Sequence, residues 1–299
     1  MTRKMTAARK SLPFDPMNPE KSLVLKKALI DKDLDRLLPA RGSRLRRAIR
    51  YAVLPGGKRF RPLLVMASGA CFGARRAVLR PFACALELIH CYSLVHDDLP
   101  AMDNDELRRG KPTCHKAFGE DVAILAGDSL LTLAFEVMAA APVPAALLAA
   151  KQAAILAVSR CAGVEGLIGG QWLDLSLSRK KLTRGQQDTV MSLKTGALIH
   201  GAVEVGALLG RADAAGRRAI SKYGKALGLA FQVRDDIMDS VAGPATPRPD
   251  HTALYGLAGS RARLARLVED AVASVARFGE RAAELRYLAL ALLDEAGNA

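Results

Sequence analysis

Residues 87–110 of the chain read ELIHCYSLVHDDLPAMDNDELRRG, and this stretch decides both the fold and the chemistry. Upstream of the Asp97–Asp98 pair, apolar side chains recur every three or four residues, which is the spacing of one face of an α-helix. Pro100 follows the pair, and proline ends or distorts a helix because its ring clashes with the preceding turn. We therefore predict a helix that ends just after Asp98, followed by a turn that returns Asp103 towards Asp97.

The acidic residues of this stretch are candidate metal ligands. Two or three carboxylates held close together repel one another unless a cation neutralises them. Mg²⁺ prefers oxygen ligands and typically takes one or two carboxylates, with water and substrate phosphate completing its shell. Because Arg108 and Arg109 follow directly, a site for metal and phosphate is favoured over a solvated acidic helix end. The predicted ligands are Asp97, Asp98 and Asp103.

A second acidic cluster lies at residues 231–239, which read FQVRDDIMD. Asp235 and Asp239 are four residues apart and project from one face of a helix, and Gln232 borders that face. One such cluster is only moderately specific, whereas two in one helical chain are far more so. We expect the two clusters to face each other across a cavity and to hold the diphosphate of one substrate through shared Mg²⁺.

The rest of the chain predicts an all-α fold. The 299 residues are 50% apolar and 25% charged, which is typical of a globular protein, and period-two runs of β-branched residues are absent. We predict a single-domain bundle of about ten or more helices over residues 22–299, after a flexible tail at 1–21. Besides the first segments near Ser22 and Leu45, long apolar segments lie at about 61–72, 76–99, 119–141, 144–162, 186–210, 213–240 and 259–294.

The amino-acid composition also indicates the cellular compartment of the protein and the kinds of partner that it binds. No apolar run reaches the roughly 20 residues of a transmembrane helix, and the basic start lacks the apolar core of a secretory signal, although it leaves an organellar transit peptide open. Five cysteines without a CxxC pair support neither a zinc site nor a disulfide framework, which indicates reduced thiols in the cytoplasm. The net charge of +14 indicates a polyanionic partner: nucleic acid, an anionic membrane or phosphorylated small molecules.

Several ordered motifs accompany the aspartate clusters. They are GGKRFRP at 56–62, KPTCH at 111–115, LAGD at 125–128, GGQWLD at 169–174 and KTG at 194–196. With these motifs the chain, from about residue 25 to 293, resembles the trans-prenyltransferases, or short-chain isoprenyl diphosphate synthases. Within them it is most similar to the bacterial-type farnesyl diphosphate synthases. The resemblance implies the isoprenoid synthase fold, with a deep central cavity, and a homodimer.

The resemblance also implies a reaction. Members join isopentenyl diphosphate head to tail to an allylic diphosphate, dimethylallyl or geranyl, by ionisation, condensation and elimination. The implied cofactor is Mg²⁺, three ions in each active site with Mn²⁺ as an alternative metal, held by the two aspartate clusters. Because the diphosphate leaves with growing negative charge, cations placed beforehand would stabilise it. The polyanion indicated by the net charge is then diphosphate, and nucleic acid is not required.

Residue roles follow from the same resemblance. Arg108 and Lys194 are expected to contact the allylic diphosphate, and the oxygens of Thr195 and Gln232 to line the carbocation. The diphosphate of isopentenyl diphosphate, which carries no metal in this family, is expected at four residues: Lys58, Arg61, Arg109 and, nearby, His90. Gln171 and Asp174 are expected to support the metal site. His96 and His115 are interpreted as packed or hydrogen-bonded histidines rather than acid–base groups.

Tyr92 bears on the length of the product. In the family, a bulky residue about one turn before the first aspartates closes the floor of the apolar cavity, and Tyr92 is such a residue. This favours the C15 product, (2E,6E)-farnesyl diphosphate, over geranylgeranyl or geranyl diphosphate.

The loop after the second aspartate cluster differs from that of the resembling family. Relatives carry lysines in this loop, but residues 240–253 contain none, and Arg248 is the only obvious cationic substitute. The absence of these lysines leaves open a different functional class, in which the protein is a catalytically weak regulatory or binding paralogue.

Overall fold

The computed structural model describes residues 18–40, 42–54, 56–177, 183–242 and 251–297. The first seven helices of this part are α1 (Pro19–Leu37), α2 (Arg44–Val53), α3 (Phe60–Cys71), α4 (Arg76–Asp97), α5 (Cys114–Phe118), α6 (Glu120–Ala140) and α7 (Leu148–Ala162). The remaining ones are α8 (Leu167–Leu177), α9 (Arg184–Met191), α10 (Ala197–Leu209), α11 (Ala214–Ala242), α12 (His251–Val275) and α13 (Ala283–Gly297). The predicted all-α class is confirmed.

Short polar side chains begin several of these helices. Asn18 accepts a hydrogen bond from the Lys21 N–H, and Ser43 accepts one from the Arg46 N–H, so each satisfies a helix-terminal donor. Thr183 and Gln186 form a reciprocal capping box at the start of α9. The first helix therefore begins at Pro19, earlier than the start near Ser22 that apolar spacing predicts.

The core lies where α3, α4, α10 and α11 meet. α4 packs between α3 and α6, while α10 packs against α3, α7 and α11, and α12 covers the other side of α11. α3, α4 and α10 are apolar around most of their circumference, as is typical of helices that other helices surround. The aspartate clusters therefore sit on elements that the core holds firmly: the first at the end of α4 and the second within α11.

Four features differ from the sequence-based expectation. A two-stranded hairpin, β1 (Leu107–Arg108) and β2 (Lys111–Pro112), follows the first cluster, with Leu107 paired to Pro112. The segment predicted at 186–210 is α9 and α10 joined by a π-helical turn, Ser192–Gly196. The segment predicted at 259–294 is two helices separated by a 3-10 turn, Ala276–Ala282. The fourth is a pair of helices that were not predicted, α5 and α8.

Two expectations fall outside the described residues. They concern the loop at 243–249, with Arg248, and the first seventeen residues of the predicted tail.

Three helical stretches are long and apolar enough to cross a membrane, by length and composition alone, among the residues that the structure describes. The expectation that no apolar run reaches that length is wrong for Arg76–Asp97, Glu120–Ala140 and Ala145–Leu177. In the first, which is α4, 78% of the apolar window is buried inside the protein, as in any central helix of a bundle. The other two windows are only 44% and 17% buried, so much of their apolar surface faces outwards.

All five cysteines have free thiols, as expected from the sequence. Cys71, Cys84, Cys91 and Cys114 are buried, and Cys161 is half-buried. Burial raises the pKa of Cys71, Cys114 and Cys161 to about 11 and that of Cys91 to about 12. The thiols therefore remain protonated at neutral pH.

Candidate active site

The first aspartate cluster forms where α4 ends. The helix stops at Asp97, and a turn through Pro100 brings the Asp103 N–H to 2.9 Å from the Asp97 carbonyl oxygen. Asn104 takes a left-handed backbone conformation and its N–H donates to the Leu99 carbonyl, which closes the turn. The turn that Pro100 predicts is therefore present, and it brings Asp103 back to Asp97.

The carboxylates of this cluster are held in an unfavourable electrostatic environment. Burial raises the pKa of Asp97 to about 6, and the neighbouring Asp103 and Asp98 carboxylates add to the shift while Lys194 opposes it. The Lys194 ammonium lies 3.8 Å from the Asp103 carboxylate and 2.8 Å from that of Asp174. A further cation at Asp97 and Asp103 would therefore relieve repulsion that Lys194 balances only in part.

Asp98 points to a different partner. The residue is 3% exposed, and its carboxylate accepts hydrogen bonds from Arg108 Nε at 2.8 Å and Nη2 at 2.5 Å. Arg108 also reaches Asp105 at 3.2 Å, and it stands on strand β1 of the hairpin. Arg108 and Asp98 form part of the wall of a cavity of about 110 Å³ that extends to Arg109. Asp98 therefore anchors the hairpin to α4 through Arg108.

The second cluster lies inside α11. Burial raises the pKa of Asp235 to about 6, the Asp239 and Asp236 carboxylates raise it further, and Arg234 opposes the shift. The Arg234 guanidinium is 2.8 Å from the Asp235 carboxylate. As at the first cluster, carboxylates on one helix face repel one another, and the nearby cations, here Arg234 and Arg61, offset that repulsion only in part.

Asp236 is occupied by neutral donors. The Gln232 side-chain amide donates to one carboxylate oxygen at 2.8 Å, and the His251 backbone N–H donates to the other at 2.9 Å. The Thr195 hydroxyl donates to the Gln232 carbonyl oxygen at 2.8 Å. This chain of hydrogen bonds fixes the orientation of the Gln232 amide and ties α11 to the start of α12.

The π-helical turn at Ser192–Gly196 connects the two clusters. Within it, Lys194 approaches Asp103 of the first cluster, while the next residue, Thr195, contacts Gln232 beside the second. Two glycines allow neighbouring helices to press against this turn: a Cβ at Gly170 would lie 2.2 Å from the Lys194 nitrogen, and one at Gly228 would lie 2.7 Å from the Gly196 Cα. Single π-helical turns inside α-helices occur frequently at functional sites.

A group of basic residues lies beside the clusters. Arg61 is buried, and its Nε has no hydrogen-bond partner. The Asp235 carboxylate stabilises the charged form of its guanidinium, whereas the nearby Arg109 cation destabilises it. Burial, and then the charges of Arg61 and Arg109, lower the pKa of His90 well below its usual value, which keeps the imidazole neutral. Arg109 donates to the Gly56 carbonyl, and its guanidinium would lie 2.9 Å from a Cβ at Gly57. Lys58, with a side chain 60% exposed, completes the group.

Arg59 organises this group, although its role was not predicted. It adopts a left-handed backbone conformation and is 3% exposed. Its guanidinium donates to Asp31 at 2.8 Å, to Glu87 at 2.7 Å and to the Val53 carbonyl at 2.8 Å. Because Arg59 is fixed to α1 and α4 in this way, the flanking Lys58 and Arg61 are presented from a rigid backbone.

Three further predicted residues lie in packed surroundings. Tyr92 is 4% exposed on α4, its hydroxyl has no hydrogen-bond partner, and its ring meets that of His96 edge-on at 5.8 Å. A His96 ring nitrogen lies 3.0 Å from the Ile124 carbonyl, and His115 Nδ1 lies 3.1 Å from the Thr113 hydroxyl. Both histidines are thus packed and hydrogen-bonded, as interpreted from the sequence.

The carboxylates fit a metal that substrate helps to bind. In the part of the chain that the structure describes, no three His, Cys, Asp or Glu side chains converge into a complete metal site. Each cluster instead offers a pair of neighbouring carboxylates, half-buried Asp97 with Asp103 and half-buried Asp235 with exposed Asp239. This donor set suits Mg²⁺, which usually takes one or two carboxylates and fills its remaining positions with water and phosphate oxygens.

Comparisons with known proteins agree with this geometry. The family model described as polyprenyl synthetase matches residues 43–248. The farnesyl diphosphate synthase of Escherichia coli (strain K12) is 42% identical over 265 residues, which cover 84% of this chain and 88% of that protein. The farnesyl diphosphate synthase of Geobacillus stearothermophilus is 40% identical over 257 residues, which cover 82% and 86%.

Relatives with other products and solved structures also match. A geranylgeranyl diphosphate synthase of Cyanophora paradoxa is 38% identical and covers 88% of this chain and 92% of its own length. The crystal structure of an FPP/GFPP synthase from Zymomonas mobilis superposes with a TM-score of 0.86 at 36% identity, and covers 93% of this chain and all of that one. The fold, the motif order and these matches lead to one conclusion: the chain belongs to the polyprenyl synthetase family.

Proposed function

We propose that this protein is a Mg²⁺-dependent prenyltransferase that condenses isopentenyl diphosphate with dimethylallyl and geranyl diphosphates, giving (2E,6E)-farnesyl diphosphate. The observation that carries the proposal is the π-helical turn at Ser192–Gly196. Its adjacent residues Lys194 and Thr195 contact the first cluster and a neighbour of the second, respectively. These two contacts support an arrangement in which both clusters would bind one diphosphate from opposite sides.

The aspartates that would hold Mg²⁺ are Asp97 and Asp103 on one side and Asp235 and Asp239 on the other. When bound, the metal ions would neutralise the charge that develops on the departing allylic diphosphate. Lys194 would add a direct cationic contact, since it already stands between Asp103 and Asp174. Arg108 would reach the same diphosphate from the hairpin while it remains paired with Asp98.

Isopentenyl diphosphate would bind on the basic group. Arg61, whose buried Nε has no hydrogen-bond partner, and Lys58, Arg109 and neutral His90 provide donors for a diphosphate that carries no metal. The Thr195 hydroxyl and the Gln232 amide would line the allylic carbocation, and their mutual hydrogen bond fixes which atoms face it. Because neither group is charged, both would stabilise the cation through their dipoles without capturing it. The elimination needs no side-chain base, since the departed diphosphate can take the proton.

Product length tests the proposal most directly. An assay with labelled isopentenyl diphosphate and geranyl diphosphate is expected to give a C15 product. In Tyr92→Ala, removal of the buried ring deepens the cavity below Asp97, so longer products are expected. C20 from the wild type would instead indicate a geranylgeranyl synthase. A product that stops at C10, with dimethylallyl diphosphate as the allylic substrate and isopentenyl diphosphate in excess, would indicate a geranyl synthase. An unchanged product from Tyr92→Ala would refute the role of Tyr92 as the floor.

A catalytically weak regulatory or binding paralogue is the alternative from a different class. It would show no turnover with any C5–C20 allylic diphosphate in excess Mg²⁺. The described site opposes this alternative, because both aspartate pairs, Lys194 and the basic group are in place.

We also propose a homodimer in the cytoplasm. The exposed apolar side chains of α6 and of the 145–177 stretch, among them Leu125, Leu156 and Trp172, would be covered by a second copy. Sedimentation of the purified protein should give twice the monomer mass of 31.9 kDa, and a monomer would contradict the proposal. The five free thiols support a reducing compartment.

A further inference from the structure

Glu295, near the end of the C-terminal helix α13, lies against the basic group. One of its carboxylate oxygens is 2.6 Å from the Lys58 ammonium, and the other is 3.2 Å from the Arg234 guanidinium. Lys58 precedes α3 and Arg234 lies in α11, so one acidic side chain joins three separate elements. The contact occupies a cation that the proposed function assigns to isopentenyl diphosphate.

The surroundings of Glu295 are buried and strongly cationic. Arg234 is 6% exposed, and its guanidinium lies over the Phe231 ring at 4.4 Å. Arg61 approaches the same ring at 6.0 Å, so two guanidinium groups share one aromatic side chain. Arg234 Nε and the Glu295 oxygen that faces Arg234 are both buried without a hydrogen-bond partner. The carboxylate is therefore held by charge rather than by well-directed hydrogen bonds.

Lys58 is the member of this group that can change partner. Its side chain is 60% exposed, whereas that of Arg234 is 7% exposed and is also paired with Asp235. A diphosphate that arrives at Lys58 carries more negative charge than one carboxylate and attracts the ammonium more strongly. The same diphosphate is repelled by a carboxylate that remains beside it. Isopentenyl diphosphate and Glu295 therefore compete for Lys58.

We propose that Glu295 is a positioning residue that acts as an internal anion, competing with isopentenyl diphosphate for Lys58 and setting the affinity for this substrate. The inference rests on the proposed function. It also gives a role to Arg234, whose guanidinium contacts both Asp235 and Glu295. Arg234 holds Glu295 in place after Lys58 has turned to the substrate, so α13 stays attached during the reaction.

The test is Glu295→Gln, which keeps the shape and removes the charge. The KM for isopentenyl diphosphate is expected to fall about 1.5- to 5-fold, the range of partly exposed charge contacts, while the KM for geranyl diphosphate stays constant. Asp294→Asn is the matched control, because it removes the same charge from the exposed neighbouring position of the same helix. It is expected to change neither constant.

Two further measurements separate the explanations. Glu295→Asp keeps the charge but shortens the reach between Lys58 and Arg234, so a KM between those of the wild type and Glu295→Gln is expected. Calorimetric titration of inorganic pyrophosphate without Mg²⁺ should give tighter binding to Glu295→Gln than to the wild type. An unchanged or raised KM together with unchanged pyrophosphate affinity overturns the inference. An inactive wild type would refute the proposed function instead, and the titration would still decide the role of Glu295.

Discussion

The two aspartate clusters reach a similar arrangement by different local structures. In both, the first and last aspartates are left as a pair, Asp97 with Asp103 and Asp235 with Asp239, and the second aspartate is used to hold the structure. Asp98 is held by the Arg108 guanidinium, whereas Asp236 is held by an amide and a backbone N–H. The first pair needs a proline turn and a distant hairpin, while helical periodicity alone aligns the second.

This difference indicates which aspartates carry function and which carry structure. The oxygens of Asp98 and Asp236 already accept hydrogen bonds, so a metal would have to compete with those donors for them. Burial and the neighbouring carboxylates raise the pKa of Asp97 and Asp235 to about 6, which means that their ionised forms are destabilised. A bound metal would therefore stabilise these two carboxylates most. The outer pairs are thus the expected metal ligands in both clusters.

The largest expected effect comes from removing one member of an outer pair. Asp97→Asn and Asp235→Asn should each lower kcat about 100- to 1,000-fold, because each removes charge stabilisation at the departing diphosphate. If both clusters grip the same diphosphate, the double variant loses less than the product of the two single losses. Steady-state kinetics with geranyl diphosphate measure this. Asp270→Asn, at an exposed position, serves as a control. If the loss of kcat in the double variant equals the product of the two single losses, the two clusters do not bind the same diphosphate.

The inner aspartates are expected to affect stability more than turnover. Asp98→Asn and Asp236→Asn should each lower the free energy of unfolding by about 1–3 kcal/mol, since each replaces one acceptor oxygen by an NH2 group that faces a donor. High salt should shrink the effect of Asp98→Asn alone, because its partner Arg108 is charged and partly exposed. Denaturant unfolding in low and high salt measures both. Equal salt dependence in the two variants would contradict the distinction between the clusters.

The pH dependence of Mg²⁺ binding should reveal the raised pKa values. In the metal-free protein, the folded state holds the protons of Asp97 and Asp235 more tightly than the unfolded chain does. Their contribution to stability is therefore complete below about pH 4 and is lost as the pH rises through about 6. Because Mg²⁺ requires the ionised form, its affinity should rise up to about tenfold per pH unit below 6 and level off above.

Calorimetry in two buffers of different ionisation enthalpy measures the protons released when Mg²⁺ binds. Release is expected at pH 5.5 and should be nearly absent at pH 8. It should be smaller in Asp97→Asn and in Asp235→Asn than in the wild type. Binding without proton release at pH 5.5 would show that these carboxylates are not the ligands.

The smallest expected effect concerns the connection between the clusters. Thr195→Val removes the hydroxyl that orients Gln232 but keeps the shape, so kcat should fall by a few-fold to about tenfold. Thr195→Ser retains the donor and should restore most of the activity. Full activity of Thr195→Val, measured with geranyl diphosphate, would show that the hydrogen bond between the π-helical turn and α11 is not needed.

The features that sequence predicted are those with a local cause. The end of α4 and the return of Asp103 follow from one proline, and the alignment of Asp235 with Asp239 follows from helical spacing. The features that were missed depend on residues far apart in the chain. Arg59 binds Glu87 and Asp31, and Glu295 binds Lys58, contacts that neither propensity nor spacing encodes.

The π-helical turn was missed for a related reason. Residues 186–210 have helical spacing throughout, so the pattern cannot distinguish one helix from two joined by a wider turn. That turn depends on the close approach of α8 and α11 at Gly170 and Gly228, which only the packed structure reveals. The hairpin at 107–112 is likewise fixed by tertiary contact, since two-residue strands carry no period-two pattern.

The buried cysteines have a practical consequence for experiments on the whole molecule. A thiol whose pKa is about 11 is ionised at neutral pH in only roughly one molecule in ten thousand, and alkylating reagents attack the thiolate. These residues lie in several helices, including α3, α4, α5 and α7, so each reports on its own neighbourhood. The rate at which each becomes labelled therefore maps how often that part of the bundle opens, without any engineered probe.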